Sequence, residues 1–478
     1  MMLEALQPHA VFHWFEEISS IPRGSGSTSA IAEWCVRFAK ERELRFFRDE
    51  ADNVVIFKEA SPGYEGAPTI ILQGHLDMVC EKAAGCTKDM STEGLDLRCD
   101  GEWVWADGTT LGGDDGIAAA MALAILDDDS LPHPPLEVLL TSNEEIGLLG
   151  AQAFDASVLQ GRRMLNLDHS EEGSFIVGCA GGNRTCCTLP VHREPYAASA
   201  WRVAVSGLLG GHSGVFINQG RGNASILLGR MLQELSLHMD LRLVLVRGGL
   251  KDNAIPVAAE AQILVPPGAD VQGLCAAFAS VLQKEFRRSD PGIAWNVSPC
   301  QPELTPMDQA STARCLCLLT CAPNGLQELS QDMPGLPQTS LNLGVLTTSP
   351  ESLDAVFSLR SSLASQKEML LRRLSALTRS LGGSIEVRGD YPAWEYQAES
   401  PLRDLLAAVY QEQSGSAPSI EVTHGGLECG VLSKKIPGLD CVSFGPNIPD
   451  IHTPRERMEV ASVQRVWKLL LEVLRLSR

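Results

Sequence analysis

The sequence predicts an α/β protein: a mostly parallel sheet sandwiched by helices, interrupted by an inserted α+β domain. Three observations predict it. Strand and helix signals alternate through roughly the first 180 residues, which favours a parallel sheet with helices on both faces. Several apolar runs there end in polar residues or glycine, and ligands on such sheets gather at the carboxyl ends of the strands. The character then changes after "GCAGG" and reverts near "YPAWEY". At 478 residues the chain exceeds one common-sized core, so two domains are expected, with residues 1–182 and 391–478 forming one and 183–390 the other.

Taken in order, "STSAIAEWCVRFAKERE" puts Ile31, Cys35 and Phe38 at helical spacing behind the caps Ser27 and Thr28. "PTIILQGHLDMV" is a short continuous apolar run suited to a strand buried on both faces. An Ala-rich helix, "GIAAAMALAILDDD", starts near Gly116, and "LEVLLTSNEE", "RMLNLDHS" and "SFIVGCAGG" read as further strands. In the insertion, "AWRVAVSG", "LRLVLVRGG" and "AEAQILV" read as strands beside the amphipathic helix "NASILLGRMLQEL". A second series follows in "SLNLGVL", "LDAVFSLR", a helix near 362–380, and "GSIEVRG". The chain then returns with a helix near 401–413, the turn "THGGLECG", the strand "LDCVSFG" and a last helix from Val460 to Leu476.

Composition narrows the function classes. With 39 basic against 59 acidic residues, the net charge of −20 disfavours nucleic acid and anionic membrane surfaces as partners. No stretch approaches the roughly 20 apolar residues of a spanning helix, and the first twenty residues lack the pattern of a signal or transit peptide. A cytoplasmic location is expected. The fourteen cysteines are scattered, several within apolar runs such as "RCLCLLTC", and no CxxC pair occurs, so reduced, mostly buried thiols are expected.

Five short stretches carry chemistry. "GHLDMV" sets His75 and Asp77 two apart at a strand end, where a carboxylate can take the second ring N–H of a metal-binding histidine. "TTLGGDDGIAAA" places Asp114 and Asp115 just before a helix, where they can cap it or bridge two cations. "LLTSNEEIG" offers the adjacent acids Glu144 and Glu145; a metal would relieve their repulsion if one bound it and the other accepted a proton. "LNLDHSEEG" gives Asp168, and "NIPDIHTPRE" gives His452. Two histidines with three or four carboxylates form the mixed nitrogen and oxygen set that suits paired zinc, or manganese or cobalt, ions. His212, in "GGHSG", reads equally as a ligand, a catalytic group or a turn residue from its own sequence.

In their order along the chain, "GHLDMV", "TTLGGDDGIA", "TSNEEIGLLGA", "LNLDHSEEG", "GCAGG", "VSGLLGGHSG", "NAIP", "HGGLECG" and "GPNIPDIHTP" resemble the motifs of aminoacyl-histidine dipeptidases. These Xaa-His, or PepD-type, peptidases belong to the co-catalytic di-zinc exopeptidase superfamily, and the resemblance runs from about residue 10 to the last helix. It implies that His75 and Asp168 hold one metal, Glu145 and His452 the other, and that Asp114 bridges them. It further implies that Asp77 orients His75, that Glu144 is the general base for the water between the ions, and that His212 hydrogen-bonds the developing oxyanion from a lid domain. Arg360 in "VFSLRSS", Asn253 in "DNAIP", and Gly425 with Gly426 would contact the substrate's free carboxylate; a guanidinium grips such a group bidentately. The chain reads GGDDG and HGGLE where the family pattern is GADNG and HAGLE, which leaves each implied ligand in place.

The implied activity is metal-dependent hydrolysis of short unblocked dipeptides, carnosine-like Xaa-His substrates included, by a homodimer joined through the lid. An amidohydrolase of the same superfamily acting on N-acyl amino acids is the alternative enzyme. A non-catalytic metal- or peptide-binding protein is the alternative outside enzymes, and the presence of Glu144 beside the ligands weighs against it.

Overall fold

The computed structural model describes residues 2–478, which divide into two compact units. The first comprises residues 2–179, 396–423 and 427–478; the second, 180–395 with 424–426.

The first unit is built on an eight-stranded sheet. From edge to edge its strands are Arg45–Arg48, Val54–Lys58, Leu136–Thr141, Ile70–His75, Arg163–Asn166, Asp440–Ser443, Ser174–Cys179 and Ser419–Thr423. The middle four run parallel, with His75 opposite Thr141 and Gln73 opposite Asn166, so their carboxyl ends lie at one edge of the sheet. Antiparallel pairing occurs where Val54–Lys58 joins its two neighbours and where Asp440–Ser443 meets Ser174–Cys179. Ile70–His75 and Leu136–Thr141 are buried at every position, which explains their unbroken apolar character.

The helix Gly113–Asp127 packs on this sheet with nearly all of its side chains buried. Its alanines permit a close approach: a Cβ on Gly74 would sit 2.6 Å from Ala118 Cβ and 2.5 Å from Asp115 Oδ2. Only glycine fits beside His75. Of the two alternatives for the acids at the start of this helix, capping is not observed. Gly112, in the left-handed region at φ 62°, is the N-cap, Asp114 and Asp115 have non-helical backbone angles, and neither carboxylate caps the helix. A small three-stranded sheet pairs Arg457–Glu459 with Trp103–Ala106, and the latter with Leu97–Cys99, which tethers the loop preceding the last helix, Val460–Leu476.

The second unit is a nine-stranded antiparallel sheet on which the helices Ala224–His238, Val271–Glu285, Gln309–Cys321 and Ala364–Ser380 are packed. Its core is formed by side chains such as Leu228, Met231, Leu243, Ile263, Leu343 and Phe357. Arg360 lies near the end of Ser352–Ser361, opposite Ser340 on one neighbouring strand and Gly182 on the other. A two-residue ladder pairs Gly211 with Ile255 and His212 with Ala254.

Among the described residues the cysteines form no disulfide, and no helix is long and apolar enough to cross a membrane.

Candidate active site

Parallel strands deliver the acidic and imidazole side chains to one place in the first unit. His75 ends its strand with 1% exposure, and its Nε2 lies 3.1 Å from Asp114 Oδ1 and 3.9 Å from Asp168 Oδ1. Nε2 of His452 lies 3.2 Å from Asp114 Oδ2 and 2.9 Å from Glu145 Oε1. Asp114 therefore presents one oxygen to each histidine. Two sets of potential ligand atoms fall within 4.8 Å of one another, His75 with Asp114 and Glu145, and His75 with Asp115 and Asp168. Asp115 is also engaged elsewhere: its Oδ2 accepts the backbone N–H of His75 at 3.1 Å.

Asp77 serves both the histidine and the acidic loop. Nδ1 of His75 lies 3.1 Å from the backbone oxygen of Asp77 and 3.5 Å from its carboxylate. That carboxylate accepts the N–H of Glu144 at 2.9 Å, the N–H of Glu145 at 3.4 Å and the hydroxyl of Ser25 at 2.7 Å.

The electrostatics reflect a crowd of buried anions. Burial, then repulsion from neighbouring carboxylates, pushes Asp115, Glu144 and Asp168 well above the usual carboxylate range. Asp114 moves the other way: burial opposes its charge, but hydrogen bonds with His452 and His75 hold it low. His452 is pushed up to about 10, chiefly by its hydrogen bonds with Asp114 and Glu145. For His75, burial disfavours the charge, yet the bonds to Asp114 and Asp77 raise it well above the imidazole range.

Two residues missed by sequence reasoning, Glu456 and Arg23, hold this arrangement together with Glu428, which stands in the "HGGLECG" motif but had no role assigned from sequence. Glu456, 2% exposed, accepts the backbone N–H groups of Leu111, Gly112, Gly113 and Asp114 at 2.8, 3.0, 2.8 and 3.3 Å. It thereby binds the loop of Asp114 to the segment that carries His452. The buried guanidinium of Arg23 donates to the carbonyls of Leu76, Asp77 and Gly112. Glu428, fully buried at the start of the helix Glu428–Lys435, accepts from Gln73 Nε2 at 2.7 Å and from the hydroxyl of Thr141 at 2.5 Å. Burial pushes it up to about 7.

The remaining expected residues lie in the second unit. His212 Nδ1 accepts the N–H of Gly214 at 3.2 Å, and Ser213 N–H donates to the Asn253 carbonyl at 2.8 Å, so "GGHSG" and "DNAIP" are fastened together. Arg360 Nη1 donates to the His424 carbonyl at 3.1 Å and reaches Tyr391 Oη at 3.4 Å, while its buried Nε has no hydrogen-bond partner among the described residues. Gly425 and Gly426 follow His424 in the turn. A Cβ on Gly426 would meet the Tyr391 ring at 2.6 Å, and one on Gly214 would lie 3.4 Å from Arg360 Cζ, so small residues surround the guanidinium. The ring of His424 lies 2.8 Å, through Nε2, from Ser340 Oγ, and its buried Nδ1 has no partner among the described residues.

The chain is similar to known proteins over nearly its whole length. The chain is 37% identical over 477 residues to the cytosol non-specific dipeptidase of Escherichia coli strain K12, covering 99% of this chain and 98% of that one. The crystal structure of aminoacylhistidine dipeptidase from Vibrio alginolyticus superposes with a TM-score of 0.94 at 35% identity, over 99% of this chain and 98% of that one. The aminopeptidase PepT of Bacillus cereus ATCC 10987, at 14% identity and a TM-score of 0.56 over 98% of each chain, shares the fold. The family model for peptidases M20/M25/M40 matches residues 71–476, and the chain belongs to that family.

Proposed function

We propose that the chain is a metal-dependent dipeptidase that hydrolyses short unblocked dipeptides, Xaa-His substrates such as β-alanyl-histidine included. The observation that carries this reading is Asp114, whose two oxygens face His75 and His452 at 3.1 and 3.2 Å, with Asp168 and Glu145 beside them. The donor set fits a pair of divalent cations. It mixes imidazole and carboxylate as zinc prefers, with manganese or cobalt as alternatives, and its buried excess of anions is what two cations would neutralise. His75 and Asp168 would hold one, Glu145 and His452 the other, with Asp114 between them. When bound, such a pair supplies a nucleophile at neutral pH and polarises the scissile carbonyl.

The chain's own groups supply the rest. Glu144 takes the proton of the attacking water and passes it to the leaving amine; a carboxyl raised toward neutrality by burial is suited to both transfers. Asp77 orients His75 and fixes the backbone of Glu144. Because Nδ1 of His212 accepts from Gly214, the neutral ring carries its proton on Nε2, which makes that atom a donor for the developing oxyanion. Arg360, with an unspent buried Nε–H, takes the substrate's carboxylate together with Asn253 and the backbone at Gly425 and Gly426.

Two near full-length relatives that are dipeptidases by name support the substrate class, and the cytosolic name of one supports a cytoplasmic location. Assembly as a homodimer through the second unit rests on the family resemblance. A free dipeptide and its N-acetylated form decide the substrate class: the free form should be cleaved and acetylation should abolish turnover. Preference for the acetylated compound would overturn the reading in favour of an acyl-amino-acid amidohydrolase.

A further inference from the structure

A cavity of about 370 Å³ opens beside the candidate metal centre within the first unit. Glu145, which lies 2.9 Å from His452 through Oε1, forms part of its wall. So does Ser25, whose hydroxyl bonds Asp77. The cavity and the candidate centre therefore share lining residues. The rest of the lining is chiefly apolar and includes Met78, Val79, Met90 and Ile146. Met78 and Met90 are buried, at 2% and 8% exposure, whereas Ile146 is 52% exposed, a large apolar side chain left facing water beside an acidic loop.

We propose that this cavity receives the side chain of the substrate's N-terminal residue and selects apolar ones. The inference rests on the dipeptidase reading. Arg360 and its neighbours are assigned there to the C-terminal carboxylate, which leaves the N-terminal residue to be recognised by the first unit. The volume falls near the small end of ligand clefts, sized for one residue and not for an extended peptide. Thioether side chains are flexible and polarisable, so Met78 and Met90 adapt to leucine, methionine or phenylalanine alike. Glu81, in the wall and outside the proposed ligand set, repels an acidic side chain. A β-alanyl or glycyl residue leaves the cavity unfilled and forgoes the burial that an apolar side chain gains.

Four dipeptides with a common second residue test this: Leu-His, Met-His, Gly-His and Asp-His. In the parent enzyme kcat/KM should be about tenfold or more higher for Leu-His and Met-His than for Gly-His, with Asp-His lowest. Met90→Trp, which fills the cavity, should remove the advantage of Leu-His over Gly-His. Cys80→Arg, at an exposed position of the wall, should raise the ratio of Asp-His to Leu-His about tenfold. Should Met90→Trp fail to fold, as judged by its thermal transition, the Cys80→Arg ratio and the parent's own ranking decide. Turnover of all four peptides with no ranking by side chain, or ratios unchanged in the variants, overturns the cavity assignment alone. No turnover of any free dipeptide by metal-loaded parent overturns it together with the reading on which it rests.

Discussion

Oδ1 of Asp77 accepts the backbone N–H of Glu144 at 2.9 Å, so the carboxylate beside His75 is also an anchor of the loop that carries the proposed base. Two roles in one side chain can be separated by substitution. Asp77→Asn retains an oxygen for the Glu144 N–H but loses the charge next to the imidazole; Asp77→Ala loses both. The asparagine variant should lose about 10- to 100-fold in metal affinity or turnover, the usual cost of removing a ligand's outer partner. The alanine variant should lose more turnover at matched metal content. Titration calorimetry with zinc and steady-state kinetics measure the two separately, and equal losses in both variants would show that the N–H contact carries no weight.

Glu144 and Glu145 are neighbours in sequence with different assigned tasks. Glu144→Gln should lower kcat by about 10² to 10⁴, the range for a positioned acid or base, while metal content stays near that of the parent. Glu145→Gln should instead lose about half of the bound metal, because His452 alone would remain with the bridging Asp114. Metal analysis of the two purified variants, set beside their kcat values, reads this directly. If Glu144→Gln is the variant that loses metal, the two roles are exchanged.

Much of this centre was legible because its residues stand at the ends of apolar strands, where a run of buried residues stops abruptly at an imidazole or carboxylate. His75, Glu144, Glu145 and Asp168 all follow that rule, and the structure gathers them with Asp114 and His452. The side chains that hold the loops were not legible. Glu456 reaches across more than three hundred residues to the N–H groups at 111–114, and its sequence neighbourhood, "TPRE", looks like an ordinary exposed turn. Arg23 bonds only to backbone, which leaves no pattern in sequence, and Glu428, though it stands in the "HGGLECG" motif, has uncharged partners that gave no clue to its role. The helix Glu428–Lys435 was hidden by the glycines that precede it. Distance along the chain, not weak chemistry, concealed them.

The imidazole of His424 should make stability depend on pH. Burial, then the nearby charges of Arg360 and His212, push it down to about 3, below the ordinary imidazole value of 6.5. The folded protein keeps the ring neutral while the unfolded chain takes up a proton below about 6.5, so the unfolded state binds more protons in that window. The stabilising term is complete above pH 6.5 and declines as pH falls toward 3, by up to a few kcal/mol. His424→Gln has no titrating ring. Thermal midpoints of parent and variant should therefore converge or cross as pH is lowered from 7 to 4, and a constant difference across that range would show that the ring does not titrate with unfolding.

His212 offers a test of both catalysis and assembly. Its Nδ1 is occupied by the Gly214 N–H, so removing the ring deletes the Nε2 donor. His212→Ala should then reduce kcat by about 10² to 10³, the cost of losing one oxyanion donor, with metal content unchanged. A parallel loss of metal would mean the ring is a ligand and not a donor. In a homodimer whose second unit serves the partner's centre, a chain with Glu144→Gln still supplies an intact His212, and a chain with His212→Ala still supplies an intact Glu144. Mixing the two inactive proteins under conditions that exchange subunits should restore up to about a quarter of parental activity, since half the dimers are hybrids and each has one complete site. Activity that stays at the level of the separate variants, with hybrids verified by native mass spectrometry, would place His212 in service of its own chain.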